Sequence, residues 1–201
     1  MGRQKQGLSQ KSIIAVYCEG ESEVRYFEML KRKYRAATTS LVKVTNLHGN
    51  GGVGLLETAV ATNNAAPKNR KAERIFVVLD RDDNTKAQLE ACRKFAKENG
   101  IELVFSSVNF EIWILLHYGE VKYPYERKQL YEILSDSEHF GQDYEKFKGS
   151  DYDDFIFDKI NQAVTNAKKL RYQYSQKDFL DEDPYTNIEA ALPEIFNTNK
   201  F

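Results

Sequence analysis

Two short, wholly apolar runs that each end abruptly in acid constrain this chain more than any other feature of its sequence. Ile13-Ile14-Ala15-Val16-Tyr17-Cys18 stops at Glu19, and Ile75-Phe76-Val77-Val78-Leu79 stops at Asp80-Arg81-Asp82-Asp83. A continuous apolar run of this length without alternation reads as a strand buried on both faces, the kind found in parallel sheets covered by helices. A helical pattern follows each run. Ser22 is placed to cap a helix with the apolar stripe Val24, Phe27, Leu30 and Tyr34, and Leu89, Cys92, Phe95 and Ala96 mark a second helix, with Gly100 where its C-cap belongs. Leu41–Thr45 and Ile101–Phe105 supply two more strands. As far as Phe105 the chain alternates β and α, which predicts an α/β fold with an open, mostly parallel sheet flanked by helices.

Beyond that point the pattern turns helical. Phe110, Trp113, Ile114 and His117 recur at helical spacing, and helices are predicted at Arg127–Leu134, Phe155–Leu170 and, shorter, Asn187–Phe196. The stretch Ser135–Asp154 has no period and is rich in Asp, Ser, Gly and Tyr, so it reads as a functional loop or a mobile segment. The expected organisation is an α/β core over residues 1–108 with a C-terminal helical extension, 109–201, packed on it. A length of 201 residues with 41% hydrophobic residues suits one core plus such an appendage.

The chemistry starts at the strand ends, because ligands of open parallel sheets bind beyond the carboxyl ends of the strands. Glu19 and Asp80 are therefore candidates for one site. In an extended segment Asp80 and Asp82 project to the same side while Arg81 points away. Three crowded carboxylates repel one another unless a hard divalent cation neutralises them. Mg²⁺, or Mn²⁺ in its place, fits such a cluster, since Mg²⁺ takes few carboxylates and keeps water and phosphate oxygens in its other positions. Phosphoryl chemistry is what such a site serves. Each acid taken singly has a plainer explanation: the chain re-enters water there, or the residue caps a helix.

Taken together, these segments resemble a known group. Val16-Tyr17-Cys18-Glu19-Gly20 followed by a helix, and Val77-Val78-Leu79-Asp80-Arg81-Asp82, resemble the two signature motifs of the Toprim fold. Four further features extend the likeness. They are Cys18-Glu19-Gly20-Glu21-Ser22-Glu23 with Tyr26-Phe27, Phe110-Glu111 through Trp113 to Leu115-Leu116-His117, Ala167-Lys168-Lys169-Leu170, and Asp183-Pro184-Tyr185-Thr186-Asn187. With the Asp80-Arg81-Asp82-Asp83 run they resemble the RloB-like family over nearly the whole chain. One departure is visible: Val108-Asn109 stands where a proline is expected before Phe110-Glu111.

The resemblance implies a Toprim-like core and a bacterial anti-phage defence protein. Its activity would be that of a Mg²⁺-dependent nuclease, commonly encoded beside an ABC- or AAA-type ATPase that would be its partner. Glu19 would be a metal ligand or general acid-base, and Asp80 and Asp82 metal ligands. Glu23 and Asp83 are secondary candidates, each explicable as a helix-start charge facing the dipole. Glu111 has the same alternative, but belongs to the shared motif and would complete the acidic site from the helical extension. His117 lies one turn past Trp113 and is more often a core or supporting histidine than a ligand. His48 and His139 lack metal-ligand spacing.

The substrate would be nucleic acid, RNA (tRNA included) or DNA. Twenty-nine basic residues against thirty acidic ones give a net charge of −1, so no global positive field attracts a polyanion and a local patch must do so. Lys31-Arg32-Lys33 and Lys168-Lys169-Leu170-Arg171-Tyr172-Gln173-Tyr174 are the candidate basic surfaces, the second with tyrosines suited to stacking on unpaired bases. Both also read as solvated helix faces. The Gly49–Gly54 loop could offer backbone N–H groups to a phosphate but lacks the Lys-Ser/Thr of a P-loop. Two other functions remain open. One is a haloacid-dehalogenase-type phosphatase with Asp80 as nucleophile, although Thr85 sits one position too late and no later lysine and acidic pair is evident. The other is a non-catalytic or regulatory Toprim partner of a defence ATPase. The two cysteines, the polar and basic N-terminus and the lack of any membrane-length apolar run predict a soluble, cytoplasmic protein.

Overall fold

Both apolar runs form central strands of one sheet in the computed structural model, which describes residues 11–48, 51–81, 84–174, 178–198 and 201. Along the chain the elements are β1 (Ile13–Cys18), α1 (Glu21–Lys33), β2 (Leu41–Asn46), α2 (Val53–Ala65), β3 (Arg74–Asp80), α3 (Lys86–Asn99) and β4 (Ile101–Ser107). Then follow α4 (Glu111–Leu115), α5 (Arg127–Ser135), α6 (Tyr144–Phe147), α7 (Asp153–Ile156), α8 (Ile160–Tyr174), β5 (Tyr185–Thr186) and α9 (Ile188–Phe196). The strand order is β2-β1-β3-β4-β5. The first four strands run parallel and β5 pairs antiparallel with β4, Ser106 facing Thr186.

The unbroken apolar runs are explained by burial on both faces. Ile14, Val16, Cys18, Phe76 and Val78 pack on one side against Tyr26, Phe27 and Leu30 of α1 and against Trp113, Leu130 and Ile188 from the C-terminal half. Ile13, Ala15, Tyr17, Val77 and Leu79 pack on the other against Leu55 and Leu56 of α2 and Leu89 and Cys92 of α3. Alternate residues of one strand thus feed two cores, as the two-residue period requires. Thr85 caps α3 in a reciprocal box with Gln88, and Gly100 ends it in the left-handed conformation at φ +65°, a position that glycine occupies without steric cost. Cys18 and Cys92 are buried free thiols on opposite faces of the sheet. Among the described residues no helix is long and apolar enough to cross a membrane.

Three local expectations are corrected. The stretch Ser135–Asp154 is not an unstructured loop: it contains α6 and the start of α7, anchored by the buried aromatics Phe140, Tyr144 and Tyr152. Its aromatics are spaced for a compact cluster rather than for one long helix, and so show no period. The C-terminal half is also not purely helical, because Tyr185–Thr186 add the fifth strand. Two residues are too few for a periodic signal, and side-chain bonds from the next residue reinforce the pairing: Asn187 Oδ1 accepts from the Phe105 N–H at 2.7 Å and Asn187 Nδ2 donates to the Leu103 carbonyl at 3.0 Å. Finally, α1 starts at Glu21 with Gly20, not Ser22, in the N-cap position.

Candidate active site

The connections place a crevice where the two acidic motifs meet. From β1 the chain passes through α1 to β2 on one side, then returns past β1 to β3 on the other. The carboxyl ends of β1 and β3 therefore flank a point where the strand order reverses, the usual ligand position in open α/β sheets. In the parallel register Tyr17 faces Val77, so Glu19 lies level with Leu79 and Asp80 is one step further along.

Asp80 is fixed by a backbone N–H from the start of the C-terminal half. Asp80 Oδ2 accepts from the Phe110 N–H at 3.0 Å, and its main-chain carbonyl accepts from Asn84 Nδ2 at 3.2 Å. The Phe110-Glu111 motif thereby orients the β3 carboxylate, while Glu111, the first residue of α4, is itself buried with 4% of its surface exposed. Gly51 passes close to Glu19: a Cβ there would lie 3.4 Å from Glu19 Oε1. Gly20 is closer still to Glu23, where a Cβ would lie 2.9 Å from Oε2.

Glu23 occupies the third position of α1. Burial pushes its carboxyl up to about 7; the Glu23 and Gly20 backbone N–H groups favour the anion, and the nearby Glu111 and Glu19 charges oppose it. Among the described residues, Glu23 Oε2 and Asn109 Oδ1 are buried without a hydrogen-bond partner.

These groups share one cavity of about 550 Å³, lined by Glu19, Glu23, Asp80 and Glu111. Gly20, Gly51, Asn84, Asn109, Arg127, Tyr131 and Lys148 also line it. Asp82 and Asp83 lie outside the described residues. Among those described, no group of three or more His, Cys, Asp or Glu is spaced as a ready-made metal cage. The donor set is nonetheless hard oxygen throughout, and Mg²⁺ is commonly held by only one or two protein carboxylates. Glu19 and Asp80 would be the residues to hold such an ion.

Other candidates lie elsewhere. His117 is fully buried in the α1–α4 core and does not line the cavity: Tyr26 Oη is 3.1 Å from Nε2 and the Trp113 carbonyl 2.9 Å from Nδ1. Burial lowers its pKa to about 3. Arg81 turns away from the cavity, donating to Ser107 Oγ at 2.7 Å and to the Leu180 and Glu182 carbonyls at 2.7 and 3.0 Å. Lys31, Arg32 and Lys33 sit at the far end of α1, about 15 Å from its first turn at 1.5 Å per residue. They pair with Glu28, Asp153 and Asp158 respectively. On α8, Lys168 is exposed, Lys169 pairs with Glu120 at 2.7 Å, and Arg171 pairs at 2.5 Å with Glu189, whose side chain is fully buried.

Arg127, Tyr131, Lys148 and Asn109 were not legible as site residues. Lys148 lies in the stretch without periodicity and reaches the cavity only through the packing of α6. Arg127 opens a helix like any other charged residue. The Asp183-Pro184-Tyr185-Thr186-Asn187 motif has a structural place, since Ser107 Oγ donates to Asp183 Oδ1 at 3.1 Å and Asn187 anchors β5. A cis peptide joins Ser107 to Val108 where the expected proline is replaced. A family model described as "RloB-like protein" matches residues 14–195. No curated protein and no solved structure matches the chain significantly.

Proposed function

Because the chain belongs to the RloB-like family, we propose that it is a Toprim-type, Mg²⁺-dependent nuclease acting in bacterial anti-phage defence. The observation that carries this reading is the meeting of Glu19 and Asp80, with Glu23 and Glu111, in one cavity at the point where the strand order reverses. Burial, with a smaller push from the Glu111 and Glu19 charges, raises the Glu23 pKa, and a divalent cation would offset the repulsion among these carboxylates. Glu19 and Asp80 would hold Mg²⁺ or Mn²⁺, joined by Asp82. When bound, the ion would polarise a phosphate oxygen and make a water more acidic.

The chain's own residues contribute position and charge. The Phe110 N–H fixes Asp80, and the bare Cα of Gly51 leaves room beside Glu19. The first turn of α1 lines the cavity and, among the described residues, Gly20 gives it no side-chain cap, so its N–H groups favour an anion there. Hydrolysis requires the water oxygen to bond to phosphorus as the bond from phosphorus to the departing sugar oxygen breaks. One water proton would pass to Glu19, and the leaving oxygen would take its proton from solvent water, to which Glu19 returns its own proton. A cavity of about 550 Å³ is on the scale of a small-molecule site, which suits a nucleotide or two of a single-stranded or looped RNA or DNA rather than a duplex. The matched family favours this reading over the phosphatase alternative with Asp80 as nucleophile.

A second reading is a regulatory Toprim partner of a defence ATPase, since a fold can be kept while its chemistry is not. The two readings separate in a cleavage assay on tRNA, single-stranded RNA and single-stranded DNA, with Mg²⁺, Mn²⁺ or EDTA. Metal-dependent cutting that is lost in Glu19→Gln and Asp80→Asn supports the nuclease. Wild-type protein that cuts nothing, even with its ATPase and ATP added, leaves the regulatory reading.

A further inference from the structure

A polyanion approaching four carboxylates needs a counter-charge, and the same cavity carries it. Arg127, the first residue of α5, and Lys148, at the C-terminal end of α6, line the same cavity as Glu19 and Asp80. Tyr131 lies one turn beyond Arg127 on the same face of α5. Lys148 Nζ donates to Tyr131 Oη at 2.7 Å and lies 4.6 Å from the centre of its ring. The ammonium is thus held in place while retaining N–H groups for an anion.

The position of Lys148 is built into the fold. Its backbone N–H donates to the Tyr144 carbonyl at 2.8 Å, and Tyr144 and Tyr152 are buried with their hydroxyls 3.2 Å apart. Phe140 and Phe147 fill the same aromatic cluster. The next residue, Gly149, has φ +82°, and a Cβ there would lie 3.0 Å from Glu21 Cβ. The chain can cross this closely over the first turn of α1 only with glycine at that point. The buried acceptors Glu23 Oε2 and Asn109 Oδ1, without partners among the described residues, mark the same cavity as one arranged for a ligand.

We infer that Lys148, steadied by Tyr131, and Arg127 form a clamp for nucleic-acid phosphates in the cavity that Glu19 and Asp80 also line. The inference deepens the nuclease reading and rests on it for the identity of the anion. Arg127 supplies a planar fork for phosphate oxygens and Lys148 a point charge. The basic clusters on the distal end of α1 and on α8 are not needed for this contact.

The test is binding in EDTA, where no cutting occurs. Fluorescence anisotropy would follow end-labelled single-stranded RNA and DNA oligonucleotides across 50 to 200 mM salt. Lys148→Ala and Arg127→Ala are each expected to weaken binding about tenfold and to lower the slope of log K against log salt by about 0.7, the value for one single-strand phosphate contact. Lys148→Arg should restore much of the loss, and circular dichroism should show the variants folded. Glu19→Gln and Asp80→Asn should bind at least as tightly as wild type. Unchanged affinity and salt slope in both Lys148→Ala and Arg127→Ala overturn the clamp, and wild-type cutting would still uphold the nuclease. Binding that depends on Lys148 in a protein that never cuts upholds the clamp and overturns the nuclease. A wild-type protein that binds neither strand overturns the clamp.

Discussion

Replacing His117 by glutamine should flatten the acid side of the stability profile. The imidazole is fully buried, with Nδ1 2.9 Å from the Trp113 carbonyl and Nε2 3.1 Å from the Tyr26 hydroxyl. A carbonyl only accepts, so Nδ1 carries the hydrogen and Nε2 accepts from Tyr26. Protonation would turn that acceptor into a donor inside an apolar core. Burial accordingly lowers the pKa to about 3, from an ordinary value of 6.5. Between those values the unfolded chain binds more protons than the native one, so stability present above pH 6.5 is lost as the pH falls towards 3. At about 1.4 kcal/mol per pKa unit the full loss approaches about 5 kcal/mol, of which about 2 kcal/mol falls between pH 7 and pH 5. Glutamine can keep a contact to Tyr26 and does not titrate. Urea unfolding of both proteins at pH 7 and pH 5 should therefore show the wild type losing about 2 kcal/mol more than the variant over that interval. Carboxyls that titrate in both proteins cancel in the comparison. Equal losses in the two proteins would refute the assignment of a neutral, buried His117.

Arg171→Ala should cost about 3 kcal/mol by leaving the buried Glu189 carboxylate unpaired. Adding Glu189→Leu should recover most of it in urea melts, and oligonucleotide affinity should not change, because this arginine serves the core. Asn187→Ala should cost about 2 kcal/mol through two lost side-chain hydrogen bonds to β4; hydrogen exchange should show the loss of protection confined first to β4 and β5. Gly20→Ala sits at an extended backbone position, φ −124°, but its Cβ would meet Glu23 Oε2 at 2.9 Å. The variant should melt within about 1 kcal/mol of wild type while nucleic-acid cleavage falls; unchanged cleavage would show that the Glu23 carboxylate has no part in the site.

The central sheet was readable because strands buried on both faces have few sequences open to them. Ile13–Cys18 and Ile75–Leu79 appear as unbroken apolar runs, and the acids that follow them meet because of the strand order. Glu111 was reachable through its motif, although its contact with the strand ends depends on the Phe110 N–H reaching Asp80. The basic wall was not readable. Lys148 is brought to the cavity by an aromatic cluster whose members are scattered along the stretch without periodicity, and side chains placed by tertiary packing leave no local pattern. The charge runs that did stand out, Lys31-Arg32-Lys33 and Lys168-Lys169, are largely occupied by surface ion pairs, where composition resembles a binding patch but geometry does not. β5 escaped notice for a related reason: Asn187 and the Ser106–Thr186 hydroxyl contact of 3.1 Å hold two residues that have no periodicity of their own.

The most direct test of the metal-site account is a Mn²⁺ titration followed by electron paramagnetic resonance on wild-type protein, Glu19→Gln and Asp80→Asn. The account predicts one saturable Mn²⁺ site in the wild type, displaced by Mg²⁺ and weakened or lost in both variants while each stays folded. A wild-type protein that takes up no Mn²⁺, or a site that survives unchanged in both variants, would contradict it.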